Sequence, residues 1–354
     1  MTECSSTARR ACLAILLLAA GAGLALRPAL AQPQALQEAQ DAYEFAEYDR
    51  AIGLFSEVAQ DAAVGKEYRR EALRYLGRAY VARDKRDQAR DAIQSLVELE
   101  PPLIELDPDR EPPAIMDLYY EVRKQIAGDY QTEKADPGLQ TVAIMDFSNG
   151  SIYERDRVAS LSKGFPSMMI NFLSGTVDLK VIERERIQWI LKEIELQQNA
   201  DVVDQSTAVR IGNLLGANAV LFGTYIMQED EMWISSRLVK VETSEILLSE
   251  KVTGDPDDFF ELIEDLSLRM TRAINVELEE TELGSGSETQ SLDAMMAYSD
   301  GLVELENGNY QAAYEKFLMA QEYDPNYKRA EIKAESLRPM LAASGVTGSG
   351  GGGN

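Results

Sequence analysis

Residues 141–148 read TVAIMDFS, an apolar run of strand length that opens the central region of the chain. The segments that follow, up to about residue 280, alternate between the periodicity of helices and that of strands. They run as strand, helix, strand, helix, helix, three strands in succession and a closing helix. This order predicts an α/β fold in which helices pack on a mixed sheet.

The chain is predicted to be all-α on either side of this region. Residues 71–101 and 294–326 place small and bulky residues at the spacing of the tetratricopeptide repeat, a helical hairpin of about 34 residues. The alternative is a generic helical hairpin. Because about three stacked repeats are needed to bury a continuous core, these helices should pack on the central domain, on each other or on another subunit. Their grooves are expected to be partly exposed, and the candidate partner-binding residues there are Tyr80, Tyr310 and Phe317.

Charge and composition exclude several functions. With 60 acidic against 35 basic residues, the formal net charge is −25, which argues against nucleic acid or an anionic lipid surface as a partner. The sequence has no histidine, so Ser-His and Cys-His nucleophiles and histidine-containing zinc sites are excluded. No glycine-rich phosphate-binding motif follows the first strand. We therefore expect no catalytic residue, no metal and no cofactor.

A few polar residues lie where the predicted elements meet. Asp146 is at the carboxyl end of the first strand, where ligands commonly bind in α/β sheets, and Asn149 follows in a candidate binding loop. The alternative is that Asp146 orients this turn and Asn149 forms it. Arg184 lies where a strand passes into a helix, and it could contact a partner subunit or form a structural ion pair. Asp255 is predicted to cap the closing helix.

The first 31 residues have the layout of a secretory signal. Two arginines precede the apolar run LAILLLAAGAGLAL at 13–26, and an A-x-A site ends at Ala31. The run is shorter than the stretch of about 20 residues that a membrane-spanning helix needs. We expect cleavage after Ala31, which leaves an exported, periplasmic product without cysteine and without a transmembrane segment; peripheral association with the outer membrane stays open. The predicted divisions are a signal peptide at 1–31, a repeat-like helical domain at 32–130, the α/β domain at 138–282, a C-terminal repeat unit at 288–342 and a flexible Gly/Ser tail at 343–354.

Several segments of the central region share their order with a known family. They are Asp146-Phe147, VIER at 181–184 with the helix after it, LLGANAVLFGTY at 214–225 and VKVETSEIL at 239–247. Together they resemble the CsgG/HfaB family, whose founding member is the curli secretion channel of the bacterial outer membrane and whose core is similar to the N-terminal domain of TolB. The resemblance implies an envelope protein concerned with assembling or exporting surface structures, often as a ring.

The chain departs from the channel-forming members of that family. Those members insert two long membrane-spanning hairpins, whose strands need about 9–11 residues each; at the matching places this chain has only QEDE and TGDPDD. Ser244 stands where the family tends to have glycine in a strand-joining turn.

We therefore expect a non-enzymatic accessory or scaffold of the cell envelope, without membrane-spanning hairpins of its own. It would bind protein partners through its repeat grooves and could form a homo-oligomeric ring. The alternative is a periplasmic small-ligand-binding or sensor protein with its pocket near Asp146.

Overall fold

A computed structural model of the full chain describes residues 34–99, 106–128, 140–174, 176, 178–193, 205–228, 230–276, 278 and 283–345. The predicted signal peptide at 1–31 lies outside these residues, as does most of the predicted tail. The fold class is confirmed: a mixed sheet with packed helices has helical segments before and after it.

The described part of the N-terminal segment contains five helices that pack one after another. They are α1 (Gln34–Glu44), α2 (Tyr48–Gln60), α3 (Lys66–Ala82), α4 (Arg86–Leu99) and α5 (Pro113–Ala127). The small residue at Gly77 brings α3 close to α4, since a Cβ at Gly77 would lie 3.1 Å from Cδ1 of Ile93. The apolar spacing along each helix thus becomes one buried stripe that meets its neighbour.

The central sheet has the order β3-β1-β4-β5-β6, and the short β2 pairs beside β1 along the same edge of β4. The strands are β1 (Gln140–Ile144), β2 (Ser148–Asn149), β3 (Leu179–Val181), β4 (Ala219–Gln228), β5 (Glu231–Lys240) and β6 (Ile246–Gly254). β1 pairs parallel with both β3 and β4, whereas β4, β5 and β6 form an antiparallel meander. The predicted mixed sheet is therefore confirmed.

Helices cover both faces of this sheet. The helices are α6 (Leu161–Leu173), α7 (Arg184–Glu193), α8 (Gln205–Leu215) and α9 (Phe259–Ala273). α6 and α9 bury residues such as Phe165 and Ile263 against Ile144 and Ile234 on one face. α7 and α8 cover the other face, where their core is continuous with that of the N-terminal helices. The central and N-terminal regions consequently share a hydrophobic core.

The C-terminal helices pack on both other regions. They are α10 (Leu292–Glu306), α11 (Tyr310–Tyr323), α12 (Lys328–Ser336) and α13 (Arg338–Ala343). α10 lies on α6, with Met295 in the core of the central domain, and α13 lies on α3. Of the three arrangements that the repeat pattern left open, the structure shows packing on the central domain and packing of the two helical ends on each other.

The connections between the last three strands are short. Gln228 faces Glu231 across the β4–β5 pair, so two residues join these strands. After β6, Asp255 caps a 3₁₀ turn at Pro256–Asp258 by accepting the Asp257 backbone N–H at 2.9 Å, and α9 follows directly. Among the described residues, no helix has both the length and the apolar character required to cross a membrane.

Candidate functional site

Asp146 belongs to a four-residue charge cluster between the central domain and α10. Its carboxylate accepts hydrogen bonds from Lys163 Nζ at 2.9 Å and from the Arg184 guanidinium. Glu306, at the end of α10, pairs with the same two cations, at 2.5 Å from Lys163 Nζ. Two carboxylates thus balance two cations. We call Asp146, Lys163, Arg184 and Glu306 the α10 cluster.

The α10 cluster determines the protonation of Asp146. Burial alone would raise the pKa of this carboxyl group, but Arg184 and Lys163 outweigh burial, so the pKa of Asp146 lies below its ordinary value. The same carboxylates raise the pKa of Arg184 against the effect of its burial. Folding therefore favours the charged forms of Asp146 and Arg184, and each of these charges has a partner within the chain.

The predicted ligand crevice at Asp146 and Asn149 has its polar atoms engaged. The Asn149 side chain donates to the Arg155 backbone oxygen at 2.9 Å and accepts the Ser151 backbone N–H at 2.9 Å. Asn149 was expected either to bind a ligand or to form this turn, and these contacts show that its side chain helps to form the turn. A ligand at this place would have to replace contacts that both residues already make, and the crevice stays a prediction.

Arg184 was a candidate partner contact, with a structural ion pair as the alternative. Its side chain is only 6% exposed, and it bridges Asp146 to Glu306 of the same chain. The structure thus forms the ion pair, and the enclosed guanidinium leaves little of Arg184 for a partner subunit to contact.

A second charge cluster joins all three regions of the chain. Arg329 of α12 pairs with Asp109 at 2.9 Å and with Glu288 at 2.8 Å, and Lys333 pairs with Asp109 at 2.9 Å and with Glu185 at 2.6 Å. Asp109 precedes α5, Glu185 opens α7 and Glu288 precedes α10. We call these five residues the three-region cluster.

The carboxylates of the three-region cluster differ in their electrostatic environment. Arg329 and Lys333 outweigh the burial of Asp109 and hold its pKa below its ordinary value. Burial is the larger effect at Glu288, whose side chain is fully enclosed, and it raises the pKa of that carboxyl group although Arg329 and the Tyr327 hydroxyl oppose the change. Folding therefore favours the charged form of Asp109 and the neutral form of Glu288.

None of the residues of the three-region cluster was predicted as a site, although the sequence of α12 carries a signal for it. Arg329, Ala330, Lys333 and Ala334 are all buried and lie at helical spacing. Two cations four residues apart on an otherwise small, apolar stripe indicate that the helix packs against carboxylates. Their partners come from distant parts of the chain, and no local pattern identifies those.

Tyr80 lines an open cleft in the N-terminal helices. The cleft has a volume of about 410 Å³ and lies between α2 and α4, with Leu73, Leu76 and Tyr80 of α3 at its base. Arg69 and Asp91 are among its polar lining residues. Of the predicted partner-binding residues, Tyr80 is the one that the structure places in a cleft wide enough for a side chain of another molecule.

Tyr310 and Phe317 lie in the C-terminal hairpin. Phe317 is completely buried, and its ring packs on Tyr298 with 5.2 Å between ring centroids. The expectation of a partly exposed Phe317 is wrong, because the missing side chain at Gly301 lets the ring enter the space between α10 and α11. Tyr310 is half-buried, and burial, with Asp117 of α5 nearby, raises its pKa. It therefore faces the N-terminal helices rather than an open groove.

The described residues contain no group of three or more Asp, Glu, Cys or His side chains placed to hold a metal ion. The ion pairs of the two clusters fix α7, α10 and α12 relative to one another.

Comparison with known proteins agrees with the resemblance found in the central region. Residues 124–227 match the family model described as "Curli production assembly/transport component CsgG". The predicted resemblance of the central domain to this family is thereby confirmed over those residues. No curated protein matched the chain.

Solved structures give similarity at low identity. TolB from Acinetobacter baumannii is 16% identical, with a TM-score of 0.28, over 40% of this chain and 29% of that chain. The C-terminal domain of LpoB from Salmonella enterica is 14% identical, with a TM-score of 0.25, over 38% and 92% of the two chains. Lipoprotein GNA1162 from Neisseria meningitidis is 16% identical, with a TM-score of 0.28, over 38% and 98%. This chain thus spans less than a third of that TolB chain.

Proposed function

We propose that the protein is an exported, non-enzymatic component of the bacterial cell envelope that serves as an accessory or scaffold in the assembly or secretion of surface structures. The observation that carries this proposal is the CsgG family match at residues 124–227. The chain adds helical hairpins on both sides of the matched domain, and buried ion pairs hold all three regions together. A rigid unit of this kind suits a protein that holds partners rather than one that transforms a substrate.

In this proposal protein partners bind at the α2–α4 cleft. The cleft presents the Tyr80 ring and leucine side chains between polar edges, the combination that amphipathic helices or extended peptides recognise. Oligomerisation into a ring, and contact with the outer membrane, are further parts of the proposal.

Photocrosslinking in intact cells, followed by fractionation, tests both the compartment and the binding surface. A photoreactive phenylalanine at position 80 should crosslink an envelope protein, whereas the same group at Tyr323, an exposed aromatic residue outside the cleft, should not. Recovery of the chain from the cytosolic fraction, or identical crosslinks from both positions, would contradict the proposal.

A further inference from the structure

The helices of the described residues leave part of one sheet face uncovered. α7 and α8 bury the start of β4 and the end of β5, including Val220, Phe222 and Val239. Beyond them, the alternate residues Ser235 and Arg237 of β5 are exposed, whereas Ile234, Ser236 and Leu238 on the opposite face are buried. The alternation shows that the exposed side chains share one face.

The open face forms a cleft of about 530 Å³, a size typical of small-ligand sites. Phe222 lies at its inner end. The other side chains that it presents are mostly hydroxyl-bearing or cationic: Ser148, Thr224, Ser235, Ser249, Arg237 and Lys251. We call this the β4–β6 cleft.

The two cations lie close to each other on this face. Arg237 is paired across the strands with Ser249, and Ser235 with Lys251, so Arg237 and Lys251 are diagonal neighbours, about 7–8 Å apart at the backbone. No carboxylate of the described residues pairs with Arg237. The Lys251 Nζ lies 4.1 Å from the centroid of the Trp233 ring, a cation–π contact that brings no opposite charge to the lysine.

Among the described residues that line the cleft, the only carboxylate is Glu250, and it is engaged elsewhere. Glu250 alternates to the opposite face of β6 and pairs with Arg269 of α9 at 3.0 Å. The described lining of the cleft is therefore positive, in a chain whose net charge is −25. Lys251 lies on the edge strand β6, where a lysine can be explained simply as a charge that discourages pairing with another strand. Arg237, however, lies on β5 inside the sheet, where no edge needs protection.

We propose that the β4–β6 cleft binds a small ligand that carries a carboxylate or phosphate group. Arg237 would donate to the oxyanion as a fork, Lys251 would add a second positive charge, and the serine and threonine hydroxyls would donate to the remaining ligand oxygens. This site is separate from Asp146 and does not depend on the proposed function.

Isothermal titration of the full chain with three probes tests the proposal: inorganic phosphate, glucuronate as a carboxylate, and glucose as a neutral control. We expect saturable binding of at least one anion with a Kd below about 10 mM, and none of glucose. Phosphate binding alone or glucuronate binding alone would identify the group that the cleft prefers, and binding of both would indicate a general oxyanion site. Absence of saturable binding for both anions would overturn the proposal.

Matched variants locate the binding. Arg237→Gln should raise the Kd of the anion about ten-fold or more, because it removes a charge-assisted hydrogen bond. Arg155→Gln removes an exposed arginine that does not line the cleft, and it should change the Kd by less than about two-fold. Unchanged melting temperatures would show that both variants fold. An equal loss in both variants would mean general charge attraction and would refute the assignment to this cleft.

Discussion

At the scale of single residues, Ser244 carries a measurable strain. It adopts a φ of +59° in the turn that joins β5 to β6, in the left-handed region that costs a non-glycine residue about 1–2 kcal/mol. Its side chain is exposed, and glycine can adopt this φ freely. Relief of this strain is partly offset because glycine has more conformational entropy in the unfolded chain. Ser244→Gly should therefore raise the free energy of unfolding by about 0.5–1 kcal/mol. Denaturation in urea measures this gain.

The neighbouring Thr243 provides the control. It is exposed in the same turn but does not have a positive φ. Thr243→Gly should lower the free energy of unfolding by about 0.5–1 kcal/mol, since it adds chain entropy without relieving strain. Similar changes of the same sign in the two variants would show that the left-handed backbone of Ser244 is not the cause.

Single residues also mark a limit of what sequence reasoning could predict about the candidate site. Asp146 could be singled out because it ends a strand, and Arg184 because it opens a helix. Their contact could not be predicted, because the α10 cluster brings together residues from separate parts of the chain, and Lys163 and Glu306 complete it. The burial that makes these charges pair is a property of the packed molecule.

At the scale of secondary structure elements, the closeness of α10 and α11 depends on Gly301. A Cβ built there would lie 2.5 Å from Cε1 of Phe317, well inside contact distance. The ring is completely buried and three of its atoms lie within 3.0 Å of the Cβ position, so Gly301→Ala should destabilise the protein by about 1–3 kcal/mol through overpacking. Thermal and urea unfolding both measure this loss.

Gly53 in α2 is the matched control, because it is also a helical glycine but has no atom near its Cβ position. Gly53→Ala should stabilise the protein by about 0.5–1 kcal/mol through helix propensity. If both substitutions changed stability in the same direction, steric contact with Phe317 would not explain the effect of Gly301→Ala.

Elements were the level at which sequence patterns predicted most. Periodicity is local, so the order of helices and strands in the central region follows from it. The break between β1 and β2 does not, because it depends on a contact with another element: the Phe147 backbone N–H donates to the Ser162 carbonyl oxygen at 2.9 Å instead of joining the ladder. The burial of Phe317 likewise depended on how closely two helices approach.

At the scale of the whole molecule, the three-region cluster couples parts of the chain that the sequence suggests are separate. Asp109 is bonded to both Arg329 and Lys333, so its loss leaves both buried cations with one carboxylate fewer. Asp109→Asn should lower the free energy of unfolding at pH 7 by about 3–5 kcal/mol. Glu288→Gln should cost less, because burial already disfavours the charge of Glu288 and Asp109 still neutralises Arg329.

The pH dependence of these two variants has a defined sign. The pKa of Asp109 is lowered by folding, so its contribution is complete above the unfolded value of about 4 and is lost as the pH falls through the folded value. The pKa of Glu288 is raised, so its contribution is present at low pH and is lost as the pH rises through its folded value. The difference between the original chain and Asp109→Asn should accordingly shrink when urea unfolding is repeated at about pH 3.

The shape of the unfolding curve tests the coupling itself. Asp109, Glu185 and Arg329 come from the three regions, and the two carboxylates meet the buried cations of α12. Undocking α12 therefore exposes unpaired charge in each region. The chain should then unfold in a single transition. Far-ultraviolet circular dichroism and the fluorescence of Trp189, which lies at the contact between α7 and α5, should both report the same midpoint. Two separated transitions in the original chain would show that the ion pairs join regions that fold independently. An equal loss of unfolding free energy in Asp109→Asn and Glu288→Gln would contradict the different roles of these two carboxylates, in which pairing dominates at Asp109 and burial at Glu288.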